Sequence, residues 1–151
     1  MKNLNTFITE SVKRVNTFKE LFKKHDDKFI VYTKKELPEN LKGTLNYKNN
    51  DIIYLFPKTK EINKKLANYC SYSGDLSKKC YIGNTNELEL NHIEFSTDGL
   101  WAEIIHIDND EHRLFWDGLS DENGDFIEEI VDKDTDCEEV VELIINSILN
   151  N

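Results

Sequence analysis

The fold is decided by the stretch Leu88–Val131, LELNHIEFSTDGLWAEIIHIDNDEHRLFWDGLSDENGDFIEEIV, in which four strand-like runs follow one another. The runs are rich in β-branched and aromatic residues, and Asp98-Gly99 and Asn123-Gly124 stand at two of the breaks. Glycine after Asn or Asp readily supplies the positive φ angle of a tight turn. The stretch therefore predicts a four-stranded antiparallel meander with strands at Leu88–Phe95, Leu100–Ile107, His112–Trp116 and Phe126–Val131.

The middle strands of this meander carry apolar side chains on both faces. Ile104 and Ile105 are adjacent, as are Leu114, Phe115 and Trp116, whereas a strand with one solvated face alternates apolar and polar residues. We expect one face to pack on helices and the other to be partly covered or to form a contact surface. Core packing is the simpler interpretation, because aromatic residues in strands usually serve packing.

Helical periodicity marks both ends of the chain. Apolar residues at three- and four-residue spacing predict an N-terminal amphipathic helix of about five turns. A second stripe predicts a C-terminal helix on the sheet, with Thr135 and Glu138 as its capping box. The N-terminal stripe is Leu4, Phe7, Ile8, Val12, Val15, Phe18, Leu21 and Phe22, and the C-terminal one is Cys137, Val140, Val141, Ile144, Ile145 and Ile148.

The region between these elements has weaker signals. The run Ile52–Phe56 is apolar throughout and predicts a strand buried on both faces, and Thr59 is placed to cap a following helix. We also expect a hairpin partner at Thr44–Lys48 and a short strand at Cys80–Ile82. Taken together, the patterns predict a single α+β domain over residues 1–151, with a mostly antiparallel sheet, a long N-terminal helix and a C-terminal helix packed on the sheet.

The charge of the chain is divided unequally along its length. Residues 1–65 hold 15 Lys/Arg and 8 Asp/Glu, a net +7, and residues 66–151 hold 4 and 21, a net −17, which together give −10. Such an asymmetry points to charged partners, and an acidic surface repels phosphate backbones while attracting basic proteins. The alternative is that the basic part, 1–65, and the acidic part, 66–151, attract each other within one fold.

The first ten residues carry a resemblance to a known kind of peptide. Met1-Lys2, Leu4, Phe7-Ile8 and Glu10 resemble the N-terminal capsid-targeting peptide of internal head proteins from T-even-type tailed phages, which opens with Met-Lys and continues to Phe-Ile-x-Glu. The resemblance implies a phage-encoded protein that enters or contacts the particle. It would place the protein in the host cytoplasm or in association with the virion.

No signature of catalysis or of a metal site emerges. Placing Gly124 at the glycine of a calcium loop puts Leu119 and Ile130 where acidic ligands belong, so a plain hairpin is favoured. The spacing of Cys70, Cys80, Cys137 and the histidines matches no zinc module. The odd number of cysteines suggests reduced thiols. No phosphate loop or nucleophile motif is present. We therefore expect neither enzymatic activity nor a cofactor.

Two hypotheses of function follow. In the first, the protein is a non-enzymatic structural or accessory component of a phage particle that acts through protein contacts and forms a homo-oligomer. In the second, it is a small acidic inhibitor, such as an immunity, anti-defence or DNA-mimic protein, that blocks a basic site on an enzyme. Neither involves a membrane or direct nucleic-acid binding. The predicted partner-binding residues are Asp108, Asp110, Glu111, Asp117, Asp121, Asp125, Glu128, Glu129, Asp132 and Asp134.

Overall fold

The structure is a computed structural model that describes residues 4–39, 51–69, 90–108, 113–121 and 123–150. Its helices are α1 (Leu4–Lys23), α2 (Lys60–Tyr69), α3 (Ile127–Ile130) and α4 (Cys137–Leu149), and a 3-10 helix spans Lys34–Glu36. Its strands are β1 (Phe29–Thr33), β2 (Ile52–Pro57), β3 (Leu90–Ser96), β4 (Trp101–Asp108) and β5 (Arg113–Gly118). The α+β class predicted from the sequence is confirmed. The predicted segments Thr44–Lys48 and Cys80–Ile82 lie outside the described residues.

The strands form one antiparallel sheet in the order β1-β2-β3-β4-β5. The pairing of β2 with β3 places Tyr54 opposite Glu94. This pairing joins the basic part of the chain, which supplies β1 and β2, to the acidic part, which supplies β3 to β5. The two parts therefore share one sheet.

One face of the sheet is covered by helices. Phe18 and Phe22 of α1 meet Phe95 of β3 edge to face, with ring centroids 4.9 and 5.5 Å apart. The acidic helix α4 lies between the basic helices α1 and α2 and buries the stripe Val140, Val141, Ile144, Ile145 and Ile148. Lys65 Nζ of α2 donates to the Leu149 carbonyl oxygen at 3.1 Å. Both predicted helices thus pack on the sheet, although Val12, at the edge of the α1 stripe, is 55% exposed.

The other face, called here the second face, is buried over its central strands as well. Ile52, Tyr54 and Phe56 of β2 have no exposed surface, and neither have His92 and Glu94 of β3. The expected burial of both faces of β2 is therefore confirmed. The second face differs from the helix-covered face because polar side chains stand among its apolar ones.

The predicted fourth strand, Phe126–Val131, is wrong. A single isolated bridge joins Ser120 to Phe126, after which the chain turns into α3, with Val131 N donating to the Ile127 carbonyl oxygen at 3.2 Å. Ile127 packs into the core with Val131 beside it, while Glu128 and Glu129 are exposed. Apolar residues four apart with charges between them fit one helical turn, and so short a run does not separate helix from strand.

The predicted capping box of α4 is also wrong. Asp136 is the N-cap and its side chain makes no capping bond. Thr135 instead joins a turn with Asp132: the carboxylate of Asp132 accepts from the Thr135 N–H at 3.0 Å, and the Thr135 hydroxyl accepts from the Asp132 N–H at 3.0 Å. A short polar side chain that finds a nearby backbone partner favours such turns over a helix cap. The predicted cap of α2 is confirmed, since Thr59 Oγ1 accepts from Ile62 N–H at 3.2 Å.

Candidate functional site

Exposed carboxylates cluster in the segment that follows β5. Residues 121–139 contain ten Asp or Glu and one Lys. We define the acidic surface as the eight exposed carboxylate residues of this segment, namely Asp125, Glu128, Glu129, Asp132, Asp134, Asp136, Glu138 and Glu139. The predicted partner-binding residues include the first five of these and not the last three, of which Glu138 was predicted only as part of a capping box. These three residues could have been predicted from the sequence, because they continue the same run of acidic residues.

Two of the predicted partner-binding residues are used to shape the backbone. The Asp121 carboxylate accepts from Asn123 N–H and Asp125 N–H at 2.9 and 3.0 Å, and Gly124 completes this turn with φ 84°. The Asp132 carboxylate accepts from Asp134 N–H and Thr135 N–H at 2.9 and 3.0 Å. Both side chains therefore hold turns of the segment that presents the acidic surface.

The other eight predicted residues fall into three groups. Asp125, Glu128, Glu129 and Asp134 are exposed, and no ion pair between described residues involves them. For Asp108 and Asp117, the backbone places the residues in β4 and β5. Asp110 and Glu111 lie outside the described residues. Of these eight residues, the four that are exposed therefore lie in the one segment that follows β5.

Ion pairs between the basic and acidic parts are few in the portion of the chain that the structure describes. His25 Nε2 lies 3.6 Å from Glu142 Oε1, which joins the end of α1 to α4. Lys19 with Glu36 and Lys28 with Asp27 are pairs within the basic part. The charge of the acidic surface is therefore not neutralised by the described residues of the same molecule.

A buried polar row crosses the second face of the sheet, with Tyr54 on β2, Glu94 on β3 and Glu103 on β4 at adjacent register positions. His92, two residues before Glu94 on the same face, places Nε2 2.9 Å from Glu94 Oε1. The ring of Phe56 stacks on His92 with centroids 4.8 Å apart. The row and its histidine therefore form one connected polar group inside an aromatic setting.

Three buried polar atoms of this row and its histidine have no hydrogen-bond partner among the described residues: Tyr54 Oη, His92 Nδ1 and Glu94 Oε2. A buried polar atom left without a partner costs about 1–3 kcal/mol. Burial, followed by the negative charges of Glu94 and Asp51, raises the pKa of the Tyr54 hydroxyl. Its proton is therefore held firmly, and Tyr54 stands beside Glu94 as a neutral phenol.

The chemistry open to the row is limited by its burial. A histidine oriented by a carboxylate is a familiar acid–base arrangement, but neither His92 nor Glu94 has any exposed surface. A substrate cannot touch either side chain in this conformation, so we assign the pair a structural role. Sequence reasoning missed this pair, although the i, i+2 spacing of the two residues in a predicted strand places them on the same face.

Glu103 differs from Glu94 because it is only partly buried. Burial, followed by the negative charges of Glu94 and Glu128, raises its pKa. No described cation pairs with it.

Within the described residues, no group of three or more His, Cys, Asp or Glu is placed to hold a metal ion. No helix there is long and apolar enough to cross a bilayer.

Comparison with known proteins finds no matching family model, no similar curated protein and no similar solved structure.

Proposed function

We propose that this protein acts by binding other proteins and not by catalysis, as a structural or accessory component encoded by a bacteriophage. The observation that carries the proposal is the acidic surface, whose carboxylates have no ion-pair partner among the described residues. In residues 121–139 the one cation is Lys133. A concentrated negative field of this kind steers basic protein surfaces toward it and repels nucleic acid.

The basic part of the same chain offers a complementary surface. Lys13, Lys23 and Lys24 are exposed in or just after α1, and Lys64 is exposed on α2. An acidic surface that meets the basic helices of a neighbouring copy makes a head-to-tail contact, which suits a particle component. The resemblance of residues 1–10 to a capsid-targeting peptide supports the phage origin and an association with the virion.

A second candidate function is that of an acidic inhibitor that occupies a basic site on an enzyme. Asp121 and Asp132 favour it, because their backbone hydrogen bonds fix the turns that carry Asp125 and Asp134. A surface fixed before binding loses less conformational entropy when the complex forms. The partner in this case is a basic protein other than a second copy.

Light scattering on a size-exclusion column, at low and high salt, tests the proposal with two matched variants. One neutralises the acidic surface with Glu129→Gln, Asp134→Asn, Glu138→Gln and Glu139→Gln. The other neutralises the basic helices with Lys13→Gln, Lys23→Gln, Lys24→Gln and Lys64→Gln. We expect the natural chain to associate at low salt and each variant to be monomeric, because exposed charges are screened beyond about 10 Å at 0.1 M salt.

An equimolar mixture of the two variants is the decisive sample. Each variant retains the surface that the other lacks, so the mixture should form a hetero-dimer if opposite surfaces meet between copies. The inhibitor function replaces the particle component if the natural chain stays monomeric and binds poly-L-lysine, while the variant with the neutralised acidic surface does not bind it. Monomers throughout, together with poly-L-lysine binding that neutralising the acidic surface leaves unchanged, would refute both.

A further inference from the structure

A pocket opens on the second face where β4, the residues after β5 and α3 meet. Trp101 and Phe126 contribute aromatic walls, and Glu103 and Glu128 contribute carboxylates. Phe126 is 42% exposed, so its side chain is accessible to a ligand at the protein surface. The pocket thus combines two aromatic rings with two acidic groups at the protein surface.

The backbone register explains why a pocket forms here. Glu103 lies opposite Gly118, and the ladder continues with Leu119 N–H donating to the Ala102 carbonyl oxygen at 2.9 Å. Ile127 N–H in turn donates to the Leu119 carbonyl oxygen at 3.0 Å. The residues on either side of Ile127 are therefore held beside Leu119, and α3 contacts β4.

Alternation of side chains then sets the shape of the pocket. In β4, Ala102 and Ile104 are buried in the core, so Trp101 and Glu103 face the opposite side of the sheet. Phe126 and Glu128, on either side of the buried Ile127, line the same pocket. Ser120 is bridged to Phe126, which holds the residues before α3 beside the end of β5. The pocket, called here the groove, is thus lined by one aromatic residue and one carboxylate from β4 and by a second such pair, Phe126 and Glu128.

The groove is electrically negative and has no cation of its own among the described residues. Glu103 faces Glu94 across the strands, and the nearby charge of Glu128 adds to the same field. Ring faces with a negative π-cloud also attract cations, and tryptophan does so best. Every charged or aromatic group in the groove therefore favours the same class of ligand.

We propose that this groove receives an arginine side chain of the protein partner, stacked between Trp101 and Phe126 and hydrogen-bonded to Glu103 and Glu128. The guanidinium group is planar, weakly hydrated and able to donate to two carboxylates at once, which suits it better than the compact lysine ammonium. The inference rests on the proposed function, because it identifies the point at which a basic partner is anchored on this side of the molecule.

A titration of the full chain with N-acetyl-arginine amide, followed by amide NMR shifts, tests the groove directly. N-acetyl-citrulline amide is the matched control, since it has the same shape without the charge. We expect saturable shifts at the backbone amides of Leu119 and Ile127 and at the Trp101 indole N–H with the arginine compound only. Equal shifts with citrulline, or no saturable shift with arginine, would overturn the proposal.

Single substitutions identify where the arginine compound binds. Glu103→Gln keeps the shape of the side chain and should weaken the arginine compound about fivefold, corresponding to a contact of about 1 kcal/mol. Trp101→Leu should weaken it by at least as much. Glu20→Gln, on the exposed side of α1 and away from the groove, should leave affinity unchanged. Equal affinity in the natural chain and in Glu103→Gln would count against the groove even if Trp101→Leu failed to fold.

The failure of this inference is distinguishable from failure of the proposed function. The variant described above, in which the acidic surface is neutralised, leaves Glu103 and Glu128 intact. If that variant loses protein association while arginine never saturates the groove, the groove is refuted and the proposed function stands. If arginine binds in the groove but no protein association depends on the acidic surface, the proposed function is refuted and the groove stands as a cation site.

Discussion

Glu94 of β3 lies directly opposite Glu103 of β4, so two carboxylates face each other across neighbouring strands on the second face of the sheet. Like charges at directly opposed positions destabilise an antiparallel pair. Glu94 has a partner in His92, whose Nε2 lies 2.9 Å from Glu94 Oε1, whereas Glu103 has no described cation beside it. The two residues therefore differ in what their removal should do to the protein.

Replacing Glu103 with Gln should stabilise the protein at neutral pH more than at acid pH. Its pKa is raised above the ordinary value of 4.5, so between the two values the folded state binds more protons than the unfolded state. The free energy of unfolding consequently falls as pH rises through that window, and Gln removes this loss. Urea unfolding of both chains at pH about 4 and pH about 7 measures it. The same difference at both pH values would contradict the prediction.

Breaking the His92–Glu94 pair should be costly. Glu94→Ala leaves a buried imidazole without its partner, and we expect the free energy of unfolding to fall by about 3 kcal/mol. The double variant His92→Leu with Glu94→Met removes both polar groups, so it should lose less than Glu94→Ala alone. Chemical denaturation of the two variants decides between these orders. A double variant less stable than the single one would show that the pair itself stabilises the fold.

Asp132 and Asp134 should behave differently although both are exposed acids two residues apart. The Asp132 carboxylate accepts from two backbone N–H groups and from the Thr135 hydroxyl, and Asp132→Ala should cost about 1–2 kcal/mol. The Asp134 carboxylate accepts no such bond from the described residues, and Asp134→Ala should change stability by less than about 0.5 kcal/mol. Thermal unfolding of the two single variants measures both. Equal losses would mean that the turn does not depend on the carboxylate.

Gly124 is required for its backbone conformation and not for space. Its φ is 84° and a Cβ built there would meet nothing within 4 Å. Gly124→Ala should therefore cost about 1 kcal/mol from conformational strain alone, and Gly124→Asn should cost less because Asn tolerates this region. Melting temperatures of the two variants give the comparison. If Asn is as unfavourable as Ala, the left-handed conformation is not what selects glycine here.

The acidic surface could be predicted only in part from the sequence. The charge of residues 121–139 is evident from composition, but composition does not separate Asp125 from Asp121, whose carboxylate accepts two backbone N–H groups. Glu138 was predicted as part of a capping box and not as part of a surface. Which carboxylates are free depends on the backbone beside them, and that is known only once the turns are placed.

Local sequence patterns are enough to predict the helical stripes, the strands β2 to β5, the turn at Asn123-Gly124 and the division of charge, because periodicity and turn chemistry involve residues close together in the chain. Tertiary contacts, in contrast, make Phe126–Val131 turn into α3, pair β2 with β3, and bring Glu94 opposite Glu103. They also place the positive φ of the β3–β4 turn on Leu100 and not on Gly99. These features depend on register and burial, which arise from contacts between residues far apart in the chain and leave no local pattern.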